Sequence, residues 1–183
     1  RVMSSGRYVM GLEVEAFESE WAAFCGARYC VGVSSATDGL FITLTARYNS
    51  RALRILTTPL TFWATTHSIL RAGFTPVFCD VNDDGVIDIT RDGLPPHDGF
   101  AMPVHLYGRP APISERFAGR VIEDAAQSHG QPLRGYAAVH SFYPTKNLGA
   151  AGQAVAVVTN DRELAGRLRS LRVYGHRRAR NGA

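Results

Sequence analysis

Lysine is nearly absent from this 183-residue chain: of its twenty lysine and arginine positions, only Lys146 carries an amine. A guanidinium keeps its proton in proteins, whereas a lysine amine can lose its proton and condense with a carbonyl. The single amine is thus either an incidental surface cation in an arginine-preferring composition or a retained covalent attachment point. Cysteine is scarce as well, and Cys25, Cys30 and Cys79 are odd in number with no C-x-x-C spacing. That pattern reads as reduced core thiols rather than as a disulfide framework or a cysteine zinc site. No apolar run reaches the roughly eighteen residues of a membrane span, and the start of the chain shows no charged-then-apolar leader pattern, so a cytoplasmic protein without membrane contact is expected. The net charge of +4 is modest, and much of it sits in Arg167, Arg169, Arg172, Arg177, Arg178 and Arg180. A solvated helix face running into the chain end accounts for that cluster better than a nucleic-acid surface.

What remains is an ordinary globular composition, 45% apolar and 20% charged, in a length that can bury one core. Helical spacing marks 12–24, 37–48 and 162–174. Between them lie short apolar runs at 29–33, 53–57, 75–81, 100–105, 120–125, 139–143 and 154–159. Most of these runs are continuous rather than alternating, the pattern of strands covered on both faces. The expected fold is α/β, a three-layer helix-sheet-helix sandwich around a mostly parallel sheet of about seven strands. Ligands of such sheets collect at the carboxyl ends of the strands.

Three of those ends carry chemistry. Val33-Ser34-Ser35-Ala36-Thr37-Asp38-Gly39 leaves a strand and opens a helix, so its hydroxyls and free amides form either a helix cap or a phosphate cradle. Val121-Ile122-Glu123-Asp124-Ala125-Ala126-Gln127 brings an acid out of an apolar strand, with an amide three residues on and no neighbouring lysine or arginine. A buried carboxylate in that setting needs a cationic partner. A protonated pyridine nitrogen would serve. The third end holds Lys146. Together these three ends offer the attachments that pyridoxal 5′-phosphate requires: an imine, a carboxylate on the ring nitrogen and donors for the phosphate. Phe62 and Trp63 add aromatic faces at a further strand-to-helix junction.

In these blocks, in this order, the chain resembles the nucleotide-sugar aminotransferases of the DegT/StrS type, within fold type I of the pyridoxal phosphate enzymes. The blocks are 31–40, TFWATTHSILRAGFTPVFCD at 61–80, PVHLYGRP at 103–110, VIEDAAQSHG at 121–130, SFYPTKNLG at 141–149 and LRVYG at 171–175. The resemblance implies that Lys146 forms the internal aldimine and shuttles the proton, and that Asp124 holds the pyridine nitrogen. It further implies that Gln127 bonds the ring hydroxyl and Phe62 stacks on the ring. Ala36, Thr37 and Ser141 would bind the phosphate. The implied substrates are a keto-sugar linked to a nucleotide and an amino donor such as glutamate. Dehydratases of the family carry histidine at the lysine position, so Lys146 implies transamination.

The chain departs from the family pattern in places. Gly152-Gln153-Ala154-Val155 replaces an acid and paired glycines, and Ser35-Ala36-Thr37 replaces S-G-T. By the resemblance, 1–183 corresponds to the cofactor-binding large domain without the small C-terminal domain. The chain is then expected to act as a homodimer, or as a heteromer with a chain supplying the C-terminal half. Two functions stay open: an aminotransferase large domain, or a catalytically incomplete remnant that modulates a full-length paralogue. Two other motifs point elsewhere. Asp80 to Gly85 imitates half of a calcium loop but has Arg91 where the twelfth position needs glutamate. His105 and His129 lack metal spacing and read as structural or site-lining residues, so no metal is expected.

Overall fold

The structure, a computed structural model, describes residues 2–48 and 53–175. Helices α1 (Val2–Ser5), α2 (Leu12–Phe24), α3 (Ala36–Arg47), α4 (Ala64–Arg71) and α5 (Arg162–Leu171) accompany seven strands. The strands are β1 (Tyr29–Val33), β2 (Arg54–Thr57), β3 (Thr75–Phe78), β4 (Phe100–Ala101), β5 (Ile122–Asp124), β6 (Ala137–Ser141) and β7 (Val155–Thr159). Arg177, Arg178 and Arg180 of the basic cluster lie outside the described residues.

One group of strands runs β1-β7-β6-β5 and the other β3-β2-β4. Parallel bridges from Ala101 to Val121 and from Val104 to Asp124 join β4 to β5, giving a continuous sheet. Only β7 runs antiparallel to its neighbours. Residues 142–154 join β6 to β7 as a loop without a helix, whereas a parallel return is usually made through a helical crossover. The Lys146 turn sits on that loop. Because every other strand points the same way, the carboxyl ends of β1, β2, β4, β5 and β6 share one edge of the sheet.

The inner strands β6 and β7 are buried along their whole length, as their continuous apolar runs require. Their side chains alternate between two cores. Val139, Val155 and Val157 pack with Leu40, Leu44, Leu164 and Leu168 of α3 and α5. Ala138, Ala156 and Val158 pack on the other side against Trp21 and Ala22 of α2. The second face of the β2–β4 region is covered by irregular chain and two three-residue 3-10 turns rather than by an α-helix, through Val86, Ile87, Ile89, Leu106 and Phe117. The sandwich is thus complete on one face and half helical on the other.

Local chemistry sets the helix ends. Ser35 caps α3 by accepting from the Asp38 amide, and Asp161 caps α5 by accepting from Glu163 and Leu164. The free edge of β1 is closed by side chains: Glu18 of α2 accepts from the Gly32 amide and pairs with Arg172, whose guanidinium also donates to the Gly32 carbonyl. An edge occupied in this way resists pairing with a further strand. The three cysteines are free and buried, and burial pushes the Cys25 thiol up to about 11, as core thiols behave.

Two glycines in helices predict opposite effects of the same substitution. Glycine inside a helix costs roughly 0.5–1 kcal/mol relative to alanine, so Gly166→Ala on α5, with open space around it, should raise stability by about that amount. On α3, a methyl at Gly39 would lie 2.9 Å from Val139 and 3.3 Å from Val155 and Val33. There the overpacking, about 1–3 kcal/mol, outweighs the propensity gain, and Gly39→Ala should lower stability. Urea unfolding of the two variants, read as a shift of midpoint, checks the reversal of sign.

Candidate active site

Asp124 ends β5 with its side chain on the same face as Ile122, towards α3 and α4. It is 6% exposed. Thr65 on α4 donates its hydroxyl to Oδ2 at 2.7 Å, and the Ala126 amide donates to Oδ1 at 3.2 Å. Thr61 steadies Thr65 from behind at 2.8 Å. Neither donor carries a charge, and Asp124 enters no ion pair among the described residues. Burial pushes its carboxyl above the usual range, an effect that the Thr65 hydroxyl, the Ala126 amide and the more distant Lys146 only partly oppose. This is an acid built into a place where its anion lacks a cation.

Lys146 is half-buried on the turn after β6. Ser141 accepts from the Tyr143 amide at 3.3 Å, Lys146 donates its amide to Tyr143 at 2.8 Å, and Ala150 donates to Phe142 at 2.8 Å. Gly149 closes the turn so tightly that a side chain there would meet the Pro144 carbonyl at 2.5 Å. The lysine is therefore presented by a fixed loop at the same sheet edge as Asp124.

The other expected site residues gather at that edge too. Ala36 and Thr37 form the first turn of α3, where helix amides have no acceptor within the helix. The Ser35 hydroxyl is taken up by Asp38, as donor at 2.8 Å and as acceptor at 3.1 Å. Arg71 of α4 pairs with Asp38 at 2.7 Å, which offsets an acid lying next to those amides. Ser141 is buried at the carboxyl end of β6. Phe62 lies just before α4, 61% exposed, with its ring 5.7 Å from that of Trp63. Gln127 follows Asp124, and its side-chain oxygen accepts from the Tyr107 amide at 2.8 Å.

Three residues escaped the sequence reading. Thr65 touches Asp124 directly, yet a lone threonine in the first turn of a helix gives no signal. Glu123 was legible only as the neighbour of Asp124. It faces the opposite side of β5, accepting from His105 at 2.6 Å and from the amides of Arg134 and Gly135. Tyr107 acts through its backbone, where its side-chain identity is silent. His105 is accordingly structural rather than site-lining. Asp80 to Gly85 forms a turn in which the Asn82 side chain accepts from the Asp84 and Val86 amides, and Arg109 pairs with Asp84.

The group that fits this arrangement is a cationic aromatic ring bearing an anion. Asp124 needs a positive partner inside the fold, the α3 amides and Ser141 offer donors to an anion, and Lys146 offers an amine. The residues present fit pyridoxal 5′-phosphate. The profile of the DegT/DnrJ/EryC1/StrS aminotransferase family matches residues 1–183. The chain belongs to that family. Its similarity to dTDP-3-amino-3,4,6-trideoxy-alpha-D-glucose transaminase of Streptomyces venezuelae is 39% identity over 193 residues, spanning 97% of this chain and 51% of that protein. Among solved structures, S. venezuelae DesV in complex with a ketimine intermediate superposes with a TM-score of 0.88 at 38% identity, over 100% of this chain and 53% of that one. NtdA of Bacillus subtilis, solved with bound cofactor PMP, gives 0.84 at 30% identity, over 93% of this chain and 42% of that one. The chain therefore spans about half the length of the family members it matches. They share its α/β architecture of fold type I. Among the described residues no helix is long and apolar enough to cross a membrane.

The state of Asp124 yields a stability prediction for the cofactor-free chain. Its folded-state pKa is raised, so folding retains a proton that the unfolded chain releases. Stability from this group is present below the ordinary carboxylate range and is lost as pH rises through the raised value. Asp124→Asn removes that loss, because an amide donates to the Thr65 hydroxyl and accepts from Ala126. The variant should unfold at higher urea than the parent at neutral pH and at an equal or lower concentration at pH 4.

Proposed function

We propose that this chain is the cofactor-binding part of a sugar aminotransferase, and that it transfers an amino group from an amino acid such as glutamate to a keto-sugar linked to a nucleotide. The named relatives support sugar transamination in general, and the observation that carries the reading here is the uncompensated Asp124 carboxylate beside the fixed Lys146 turn. When bound, pyridoxal 5′-phosphate supplies an electron sink for the charge left as a substrate carbon loses its proton. Asp124 keeps a proton on the ring nitrogen, so the sink stays strong. Lys146 is the covalent anchor; once displaced by substrate, its amine takes the proton from one carbon and returns it to another. Gln127 donates to the ring oxygen, Phe62 covers one ring face, and Ser141 with the amides of Ala36 and Thr37 takes the phosphate.

Phe62, Trp63, Tyr107, Tyr143 and Leu148 expose large apolar groups on segments that follow the strand ends. A second chain covering them, a copy of this one or a chain supplying further site residues, is part of the proposal.

Borohydride treatment of the cofactor-loaded protein should fix a pyridoxyl group on Lys146, read by peptide mass spectrometry. Asp124→Asn should retain the adduct but slow single-turnover amination of the cofactor by roughly a hundredfold or more, as loss of a group acting in proton chemistry does. Light scattering of the same sample should give a dimer or larger. Bound cofactor without an adduct at Lys146 contradicts the assignment.

A further inference from the structure

Gln127 is held by its oxygen. A backbone amide can only donate, so the side-chain atom 2.8 Å from the Tyr107 nitrogen is the carbonyl oxygen, and the orientation of the carboxamide follows. Its NH2 group, with no partner among the described residues, is the end left to donate. The amide that sets this orientation belongs to a strained residue: Tyr107 has φ of 57° and ψ of 22°, left-handed values that cost a residue with a side chain roughly 1–2 kcal/mol. Gly108 follows at φ of 80°, and a side chain there would meet the Gln127 carbonyl at 3.3 Å. Something must hold this turn in place.

His105 and Glu123 stand behind it, 1% and 2% exposed at their side chains. The Ala111 amide donates to His105 Nδ1 at 3.1 Å, so Nδ1 carries no proton and the ring is the neutral Nε2–H tautomer. That Nε2–H donates to Glu123 at 2.6 Å. Glu123 also accepts from the amides of Arg134 at 2.9 Å and Gly135 at 2.5 Å, and the Arg134 guanidinium donates to the Ala111 carbonyl at 2.9 Å. His105 thus ties both ends of residues 105–111 to the reverse face of β5. Gly108 donates to the His105 carbonyl at 3.2 Å and Arg109 to the Leu106 carbonyl at 3.0 Å, closing the turn between the anchors.

We propose that His105 and Glu123 are positioning residues for Gln127: through the neutral His105 tautomer they hold the strained Tyr107 turn, whose amide fixes the Gln127 carboxamide with its NH2 as the donor for the cofactor ring oxygen. The cofactor side of this statement rests on the function proposed above; the Glu123–His105–Tyr107–Gln127 chain does not. Glu123→Gln sets an NH2 group against a histidine whose Nδ1 already takes the Ala111 amide, so one bond of the chain breaks. His105→Gln keeps a donor for buried Glu123 and removes the acceptor for the Ala111 amide.

The test begins on the chain without cofactor. Nitrogen-15 resonances of His105 should report the neutral Nε2–H tautomer, and the Tyr107 amide should be protected from hydrogen exchange. Gln127→Ala, Glu123→Gln and His105→Gln should each speed Tyr107 exchange at least about fivefold, the factor that one net hydrogen bond supports, while core amides of β6 and β7 keep their protection. With cofactor loaded, the pH midpoint of its visible band should move in the same direction in all three variants, most in Gln127→Ala. A charged or Nδ1–H His105, or a folded His105→Gln protein with unchanged Tyr107 exchange and unchanged band midpoint, overturns the proposal. A wild-type chain that binds no cofactor but shows the tautomer and the exchange pattern overturns the functional reading alone.

Discussion

Asp124 is held on one oxygen by the Thr65 hydroxyl and on the other by the Ala126 amide, inside a fold that pairs it with no cation among the described residues. Two neutral donors orient a carboxylate without repaying the loss of its water, which is why burial drives its protonation up. Stability alone would have replaced such a group. Its persistence makes sense if the missing cation arrives with a ligand, and much of the sheet edge can be understood from that requirement. The strand that carries Asp124 needs parallel neighbours to bury it, α4 must cross its carboxyl end to bring Thr65, and the loop after β6 must return close by to bring Lys146.

The two acids at the end of β5 make the point by contrast. Glu123, one residue earlier and on the other face, is equally deep, yet hydrogen bonds from His105 and from the Gly135 and Arg134 amides outweigh its burial and hold its carboxyl below the usual range. It is satisfied within the chain, as a structural acid should be. Asp124 is satisfied only in geometry. Alternation along a strand places one acid in the scaffold and its neighbour in the site, so two adjacent carboxylates do unlike work.

Much of this was legible in the residues. The limits of α2 and β1 follow from apolar spacing alone and agree with the structure residue for residue. Asp124 and Lys146 stood out because an acid in an apolar run and a sole lysine are rare events. The run at 100–105 reads as one strand but yields only Phe100–Ala101, because Pro103 has no amide to give the ladder; pairing resumes where its carbonyl accepts from Asp124 and His105 donates back. The helix expected at 162–174 stops at Leu171, where Tyr174 and Gly175 take left-handed φ values and Gly175 donates to the Ser170 carbonyl. The contacts of Thr65, Glu123 and the Tyr107 amide were invisible for a common reason. Each acts through a contact between segments far apart in sequence, and neither threonine, glutamate nor a backbone nitrogen advertises such a partner.

If the buried carboxyl of Asp124 exists for a ring nitrogen, it should tell pyridoxal 5′-phosphate from the analogue whose ring nitrogen is replaced by carbon. Titration of the parent and of Asp124→Asn with both compounds measures this. The parent should bind the analogue at least about tenfold more weakly, as loss of one charged hydrogen bond implies, and the variant should hardly distinguish the two. Equal discrimination by parent and variant would contradict that role.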